Sequence, residues 1–435
     1  MSSHKLSYQK VLFFIFIVSF IIRLAFGVYM YNLQGITEFR DDWDYISYGK
    51  QINEQGIWLE DTGKLKDARI GPGFPLIIAA LFRIFGENYY AIFILNALIS
   101  SLIPLVIYFL GKQVFSRKTA LLSALWGVIY ILHIHYVNAV LKEIWLAFLL
   151  PLLIYLFILE VKKDKINWLS LLLSVLYAFL IHMDERYFTY FPVFAISFFV
   201  LDNDYWGKRL KKAALFVIIV LILMIPWLVR NYQIYGRIVI LTERTTRFTD
   251  KIFGYKEEVE ERKREKAELT SYLKAKRDSI LLGKEVDEEI KGNWIRKMKK
   301  AIAKRDVPHE FNTAERWWAE LKEFWRPIRL RGSYVGNGLR YEPPYTLKHN
   351  LGEGLTYGIL LPFFLIGCYF VIKRKNKYGI FFIVIIFAQT FIHVVLAHVR
   401  NRYRIPVDSL IILISFYGIT KLINKIKKDK VKIKS

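Results

Sequence analysis

Residues 11–29 read VLFFIFIVSFIIRLAFGVY, a nearly uncharged run about as long as a helix must be to cross a hydrocarbon core. Runs of the same kind follow at 89–110, 355–372 and 378–396. In hydrocarbon no water bonds to exposed backbone, and a helix satisfies its own amides and carbonyls internally. The chain of 435 residues is 54% hydrophobic and 16% aromatic yet carries a net charge of +25, a combination seldom met in a soluble globular domain. The fold class expected is therefore all-α, a polytopic transmembrane helical bundle. The first run follows a short basic start and lacks a small-x-small cleavage pattern, so it reads as a retained helix rather than a signal peptide. The single cysteine, Cys368, excludes a disulfide framework and a thiolate metal cluster.

The positive charge sits in short clusters between the apolar runs: Lys112/Arg117/Lys118, Lys162/Lys163/Lys165, Lys208/Arg209/Lys211/Lys212, Lys373/Arg374/Lys375/Lys377 and the tail from Lys421 to Lys434. The positive-inside rule accounts for such clusters and places them in the cytoplasm, so no nucleic-acid partner is expected. Parity between clusters then adds crossings on both sides of the break at His133, His135 and Asn138. It adds two short ones, 167–180 and 187–201, around His182-Met-Asp-Glu-Arg186, and further spans at 213–228 and 405–417. The expectation is about ten spans with both termini cytoplasmic.

Three parts follow: an amino-terminal transmembrane module, 1–229, with an external loop at 30–88; an external charged helical loop, 230–350; and carboxy-terminal spans with a basic tail, 351–435. Within 30–88, FPLIIAALFRIF (74–85) is apolar but too short to cross, and it should lie in the interface plane, as should 44–52. Residues 256–305 read as solvated helix, with Glu258/Arg262 and Glu260/Arg264 at i,i+4 spacing and a basic face suited to anionic headgroups of membrane lipids. Trp317, Trp318, Leu321, Phe324 and Trp325 share one helical face, which suits interfacial or core packing and, less directly, sugar stacking.

The residues able to do chemistry gather at the external mouths of the spans. Arg40-Asp41-Asp42-Trp43-Asp44-Tyr45 puts three carboxylates just beyond the first span. A carboxylate is the base an acceptor hydroxyl needs as it attacks an anomeric carbon. The same acids could cap a helix, or hold Mg²⁺ or Mn²⁺ against a phosphate. Asp67-Ala-Arg69-Ile-Gly71-Pro72-Gly73 makes a tight turn that delivers Arg69 to the interface, where a guanidinium grips a lipid phosphate or snorkels to headgroups. Glu143, Asp184, Glu185 and Arg186 fall on the same side. Arg230 after Pro226-Trp227, and Arg400, Arg402 and Arg404 before Pro406, are outward cations against the positive-inside tendency, which argues for an anion. The histidines lack a ligand spacing. There is no Walker-type loop and no G-x-G-x-x-G, so the energy must arrive in the substrate.

The order of these motifs resembles the GT-C membrane glycosyltransferases, in particular bacterial relatives of protein O-mannosyltransferases and of the aminoarabinose transferase acting on lipid A. Carrying the resemblance are Asp41-Asp42 with Tyr45, Arg69-Ile-Gly-Pro-Gly-Phe-Pro75, Phe85-Gly86, Glu143, Arg186 before Pro192, Pro226-Trp-Leu-Val-Arg-Asn231, and Arg402-Tyr-Arg-Ile-Pro406. It implies a GT-C fold and inverting transfer of one hexosyl or pentosyl unit from a polyprenyl-phosphate donor to a lipid, glycan or protein acceptor. The reaction would take place on the outer, periplasmic face of the plasma (inner) membrane. The resemblance also implies catalysis without a metal or other cofactor. It places the base on Asp41, with Asp42 and Asp44 close by, and assigns Glu143 to orienting the acceptor or a water. Arg69, with Arg186 or Arg404, would hold the departing phosphate, and Arg230 and Arg402 join that donor-phosphate set. The charged stretch 230–350 has no counterpart in the family pattern. The rival readings are a lipid-linked glycan flippase or transporter, which needs charge at mid-membrane, and an oligosaccharide polymerase or ligase, which needs a larger cavity.

Overall fold

The computed structural model describes residues 2–34, 40–56, 70–163, 165, 167–236, 238–242, 313–327, 351–396, 399 and 401–434. Expectations on 57–69, which include Arg69, and on 243–312 and 328–350 lie outside the described residues, as does Arg400. Among those described there is no strand.

Helix α1 is Ser2–Gln34, and α2, Arg40–Gln55, and α3, Gly73–Phe85, lie in the segment between it and α4, Tyr89–Val114. Next come α5, Arg117–Ile129, and α6, Ile131–His135, which with Tyr136–Asn138 form one broken element bent by 46°. Then follow α7, Glu143–Val161, α8, Trp168–Met183, a 3₁₀ turn Glu185–Tyr190, α9, Phe191–Leu201, and α10, Trp206–Tyr235. Further along come α11, Thr313–Phe324, α12, Leu360–Lys373, α13, Lys377–Phe391, and α14, Ile405–Lys434. The expected in-plane segment 74–85 appears as α3 within a residue, whereas 44–52 is the middle of a longer helix.

Among the described residues seven helices are long and apolar enough to cross a membrane, or eight with the bent pair. The expected ten is not reached. All the apolar segments behind that count are helical, but α8 has 16 residues and α9 has 11, and polar residues occupy the chain where each would need further turns.

The positive clusters meet at one end of the bundle. Lys162 Nζ donates to the Gln113 carbonyl at 3.2 Å, Lys212 Nζ to the Lys163 carbonyl at 2.8 Å, Lys377 Nζ to the Leu201 carbonyl at 2.6 Å, and Asn376 Nδ2 to the Val114 carbonyl at 3.0 Å. The opposite end, where α7 begins and α8 stops, carries the acids and arginines singled out above.

One cation breaks the apolar first span. Arg23 is fully buried, and it donates to Ser100 Oγ at 2.7 Å and to the carbonyls of Ser19, Val128 and Gly127 at 3.2, 3.0 and 3.0 Å. Two of those carbonyls belong to the last turn of α5, where the break before α6 removes the amides that would have met them. The guanidinium caps a helix end inside the bundle, a role invisible in the local sequence.

Candidate active site

Gly71 and Gly73 set the floor of the site. A Cβ on Gly71 would stand 2.2 Å from the His182 carbonyl oxygen, and one on Gly73 would stand 2.7 Å from the Met183 amide nitrogen. Only a bare α-carbon permits that approach, so the start of α3 lies flush against the end of α8. Asp184, the next residue after α8, turns into the interior and caps the following turn through the Arg186 amide at 3.1 Å.

Asp184 is the hub of a buried charge cluster. Its carboxylate binds the Arg186 guanidinium and sits 3.1 Å from Lys142 Nζ. Burial alone would raise its pKa, but Arg186 and Lys142 prevail and hold it well below the usual carboxylate range. For Lys142 burial pulls the pKa down, and Asp184 more than restores it, so the ammonium stays charged. The adjacent Glu143 opens α7 and pairs with Arg402 through Oε1 at 3.0 Å. Its other oxygen, Oε2, is buried with no hydrogen-bond partner. Arg186 also lies over the Tyr403 ring at 4.1 Å and reaches His393 Nδ1 at 3.5 Å, and the His393 ring stacks on Tyr403 at 4.7 Å. Residues far apart in the chain thus converge: Lys142 and Glu143, Asp184 and Arg186, His393, Arg402 and Tyr403.

Helix α2 lies over this cluster. Asp42, Tyr45 and Tyr48 repeat at i, i+3 and i+6 and are all buried, so they form its inner face. Tyr45 is within electrostatic reach of Lys142, Glu143, Asp184 and Arg402, and burial drives its phenol pKa upward, so it stays protonated. Tyr48, one turn on, lies beside Arg230, and burial raises its pKa too, against the pull of that cation. Asp41 is in the first turn of α2, but its side chain is outside the described set.

Arg230 differs from the other arginines. It is 1% exposed, donates to Asn231 Oδ1 at 3.0 Å and lies 4.7 Å from the Trp227 ring centre. Its Nε has no hydrogen-bond partner, nor does the Tyr48 hydroxyl, and among the described residues no carboxylate pairs with it. It terminates an apolar groove of about 150 Å³ between α3, α8 and α10, walled by Leu76, Phe179, Leu223, Pro226 and Trp227.

Arg404 goes elsewhere. With no exposed surface, it binds Asp408 at 2.9 Å and the Phe324 carbonyl at 3.3 Å, lies 3.7 Å from Glu353, and covers the Tyr357 ring. Tyr130 donates to the other Asp408 oxygen at 2.7 Å, so Arg404 ties α14, α11 and the α5–α6 break together. Sequence reasoning missed Tyr48 and Lys142. The signal for Tyr48 was its spacing of one helical turn from Tyr45. Among the described residues no group of three or more His, Cys, Asp or Glu side chains could hold a metal ion.

Residues 69–229, which include Glu143, Asp184, Arg186 and the apolar walls of the groove and stop one residue short of Arg230, match the family described as dolichyl-phosphate-mannose-protein mannosyltransferase. No curated protein sequence matches the chain significantly. The oligosaccharyltransferase AglB from Archaeoglobus fulgidus, solved with an inhibitory peptide and a dolichol-phosphate, is similar over 99% of this chain and 52% of its own, at 12% identity and a TM-score of 0.55. The apo form of the Archaeoglobus fulgidus oligosaccharyltransferase aligns over 97% of this chain and 51% of that one, at 11% identity and a TM-score of 0.56. This chain spans about half the length of these structures. At such low identity the likeness speaks for architecture, and the architecture is the GT-C fold of membrane glycosyltransferases that the order of motifs led one to expect.

Proposed function

We propose that the protein is a membrane glycosyltransferase that moves one sugar from a polyprenyl-phosphate carrier to an acceptor on the outer face of the membrane. The observation that carries this reading is Arg230: a buried cation with no carboxylate partner among the described residues, beside a Tyr48 hydroxyl that has no partner among them either, at the head of an apolar groove. A lipid phosphate supplies the missing anion, and its chain suits the groove. The archaeal neighbour solved with a dolichol-phosphate shows the same fold holding a lipid phosphate. The positive clusters at the far end support cytoplasmic termini and an external site.

In the proposed reaction the acceptor oxygen attacks the anomeric carbon from the face opposite the phosphate and gives its proton to a carboxylate at the start of α2. The carbon–oxygen bond to phosphate breaks, and its electron pair leaves on the phosphate, which Arg230 and Arg69 stabilise. The resemblance assigns the base to Asp41. Asp42, with no exposed surface, would hold α2 in register. Glu143 Oε2 is left to orient the acceptor hydroxyl while Oε1 stays with Arg402. Asp184 and Lys142 fix the charge around them, and Arg404 serves the scaffold.

The test is sugar release from a radiolabelled polyprenyl-phosphate sugar by the purified protein in nanodiscs. Asp41→Asn should slow it by about 10²- to 10⁴-fold, the usual contribution of a positioned base. Turnover at the parent rate in that variant removes Asp41 from the mechanism, and product chains longer than one sugar turn the reading towards a polymerase.

A further inference from the structure

At the end of the bundle opposite the candidate site, two sets of cations stand out among the exposed lysines there. One group is neutralised within the chain: Lys212 pairs with Asp202 at 2.7 Å and Asp204 at 3.1 Å, and Lys208 with Asp204 at 3.0 Å. Lys162 and Lys377 are taken up by backbone and side-chain oxygens. The other group is Lys118, Arg374 and Lys421, which come from three separate parts of the chain to line one cavity. Among the described residues no carboxylate lines that cavity, and none of the three cations has an ion-pair partner.

The rest of the lining is polar in a directed way. Ser116 and Thr119 share a hydrogen bond at 2.9 Å, and Thr119 reaches Thr420 at 3.1 Å, so a chain of hydroxyls crosses the wall. Thr420 donates to the Tyr417 carbonyl at 2.9 Å, which leaves the exposed Ser116 hydroxyl, at the other end of the hydroxyl chain, able to turn its proton to an anion. Asn376 is held by the Val114 carbonyl at 3.0 Å and caps α13, which fixes the loop that carries Arg374. The cavity has a volume of about 480 Å³. A water occupies roughly 30 Å³ in the liquid, so a phosphate ester fits together with its substituent. Lys421 lies 16 residues beyond the start of α14, roughly 24 Å along the helix from the candidate site, so this cavity is separate from it.

We propose that this cavity binds a phosphate group, carried by an anionic membrane lipid or free in solution. Positive loops serve topology in any multispanning protein, but topology requires only their number. Three unneutralised cations facing into one concave, acid-free space are placed to hold a ligand.

The test uses the full chain in nanodiscs of phosphatidylcholine with one-tenth phosphatidylglycerol, followed by delipidation and native mass spectrometry. The parent should retain phosphatidylglycerol in preference to phosphatidylcholine. Lys118→Gln/Arg374→Gln/Lys421→Gln should reduce that retention by about a hundred-fold, about the effect of three lysine or arginine charges near a phosphate surface. Lys163→Gln/Lys165→Gln/Lys211→Gln, exposed at the same end, should retain it, and Lys118→Arg/Lys421→Arg should behave as the parent. If the triple substitution impairs folding, Lys421→Gln alone, checked by its melting temperature in phosphatidylcholine, should still lose several-fold. A second arm titrates inorganic phosphate against chloride at equal ionic strength in pure phosphatidylcholine. A rise in melting temperature that the pocket variant lacks assigns the site to free phosphate. Equal loss in both triple variants, or no loss in either arm, overturns the proposal.

Discussion

Two arginines of this protein are equally hidden and differently used. Arg23, inside the first span, is saturated by one hydroxyl and three carbonyls of its own chain. Arg230, at the head of the groove, keeps a single side-chain acceptor and leaves Nε bare beside a bare tyrosine hydroxyl. Burying a cation is costly in either place, so the difference lies in what satisfies it. Where the chain supplies the acceptors the cation is scaffold, and where the described residues supply only one, the proposed function makes the cation a receptor. Arg23 lies in a span, the position a transporter reading would seize on, yet its partners leave it nothing with which to escort an ion.

Arg23→Ala should have the largest effect on stability, a loss above about 3 kcal/mol, since each orphaned buried acceptor costs about 1–3 kcal/mol. Lipid-phosphate retention per folded molecule should stay as in the parent. Reversible denaturation in detergent with lipid counting on the folded fraction checks both, and an intact melting profile would break the contrast.

Arg230→Gln should do the reverse. Without ligand its melting temperature should equal or exceed the parent's, while retention of polyprenyl phosphate falls roughly ten- to hundred-fold, as expected for a charge-assisted hydrogen bond of about 1.5–3 kcal/mol. Parent-like lipid retention in this variant would show that Arg230 is scaffold as well.

Gly73→Ala separates the groove from its cation. A methyl group 2.7 Å from the Met183 amide must push α3 off α8, at a cost of about 1–3 kcal/mol for overpacking. It should weaken lipid retention only a few-fold while slowing sugar release, because the wall moves and Arg230 stays.

The smallest effect is with pH. Asp184 has its folded-state pKa depressed by Arg186 and Lys142, so its stabilisation is complete above the unfolded value of about 3.9 and is lost as pH falls below that through the folded value. The melting temperature of the parent should therefore show no Asp184-dependent decline from pH 8 to pH 5 and should drop only in stronger acid. A decline centred near pH 6 that Asp184→Asn abolishes would mean that the cluster is not paired as described.

The limits of reading the chain by itself show in particular residues. Helix α3 was legible to within a residue because a twelve-residue stretch, apolar but for Arg83 and too short to cross, preceded by glycine and proline, admits few alternatives. Glu143, Arg186 and Arg402 were legible as candidates because charge at the mouth of a span is unusual. That Glu143 meets Arg402 was not, for the two are separated by most of the bundle. Gly71 and Gly73 read as turn residues, and their decisive partner, the backbone of His182 and Met183, lies on another helix. The ten spans counted from apolar runs are not all confirmed among the described residues, where α8, with 16 residues, stops at the polar site and α9, with 11, starts beyond it.

Composition, continuous hydrophobicity and the spacing of basic clusters determined that this is a helical membrane protein with most of its charge sorted to the ends of the apolar runs. Those are local and one-dimensional properties, set by what a bilayer tolerates at each depth. Which arginine is scaffold and which is left open was decided only by tertiary structure. A side chain's worth depends on the acceptors brought to it from distant parts of the chain, and local sequence does not encode those distances.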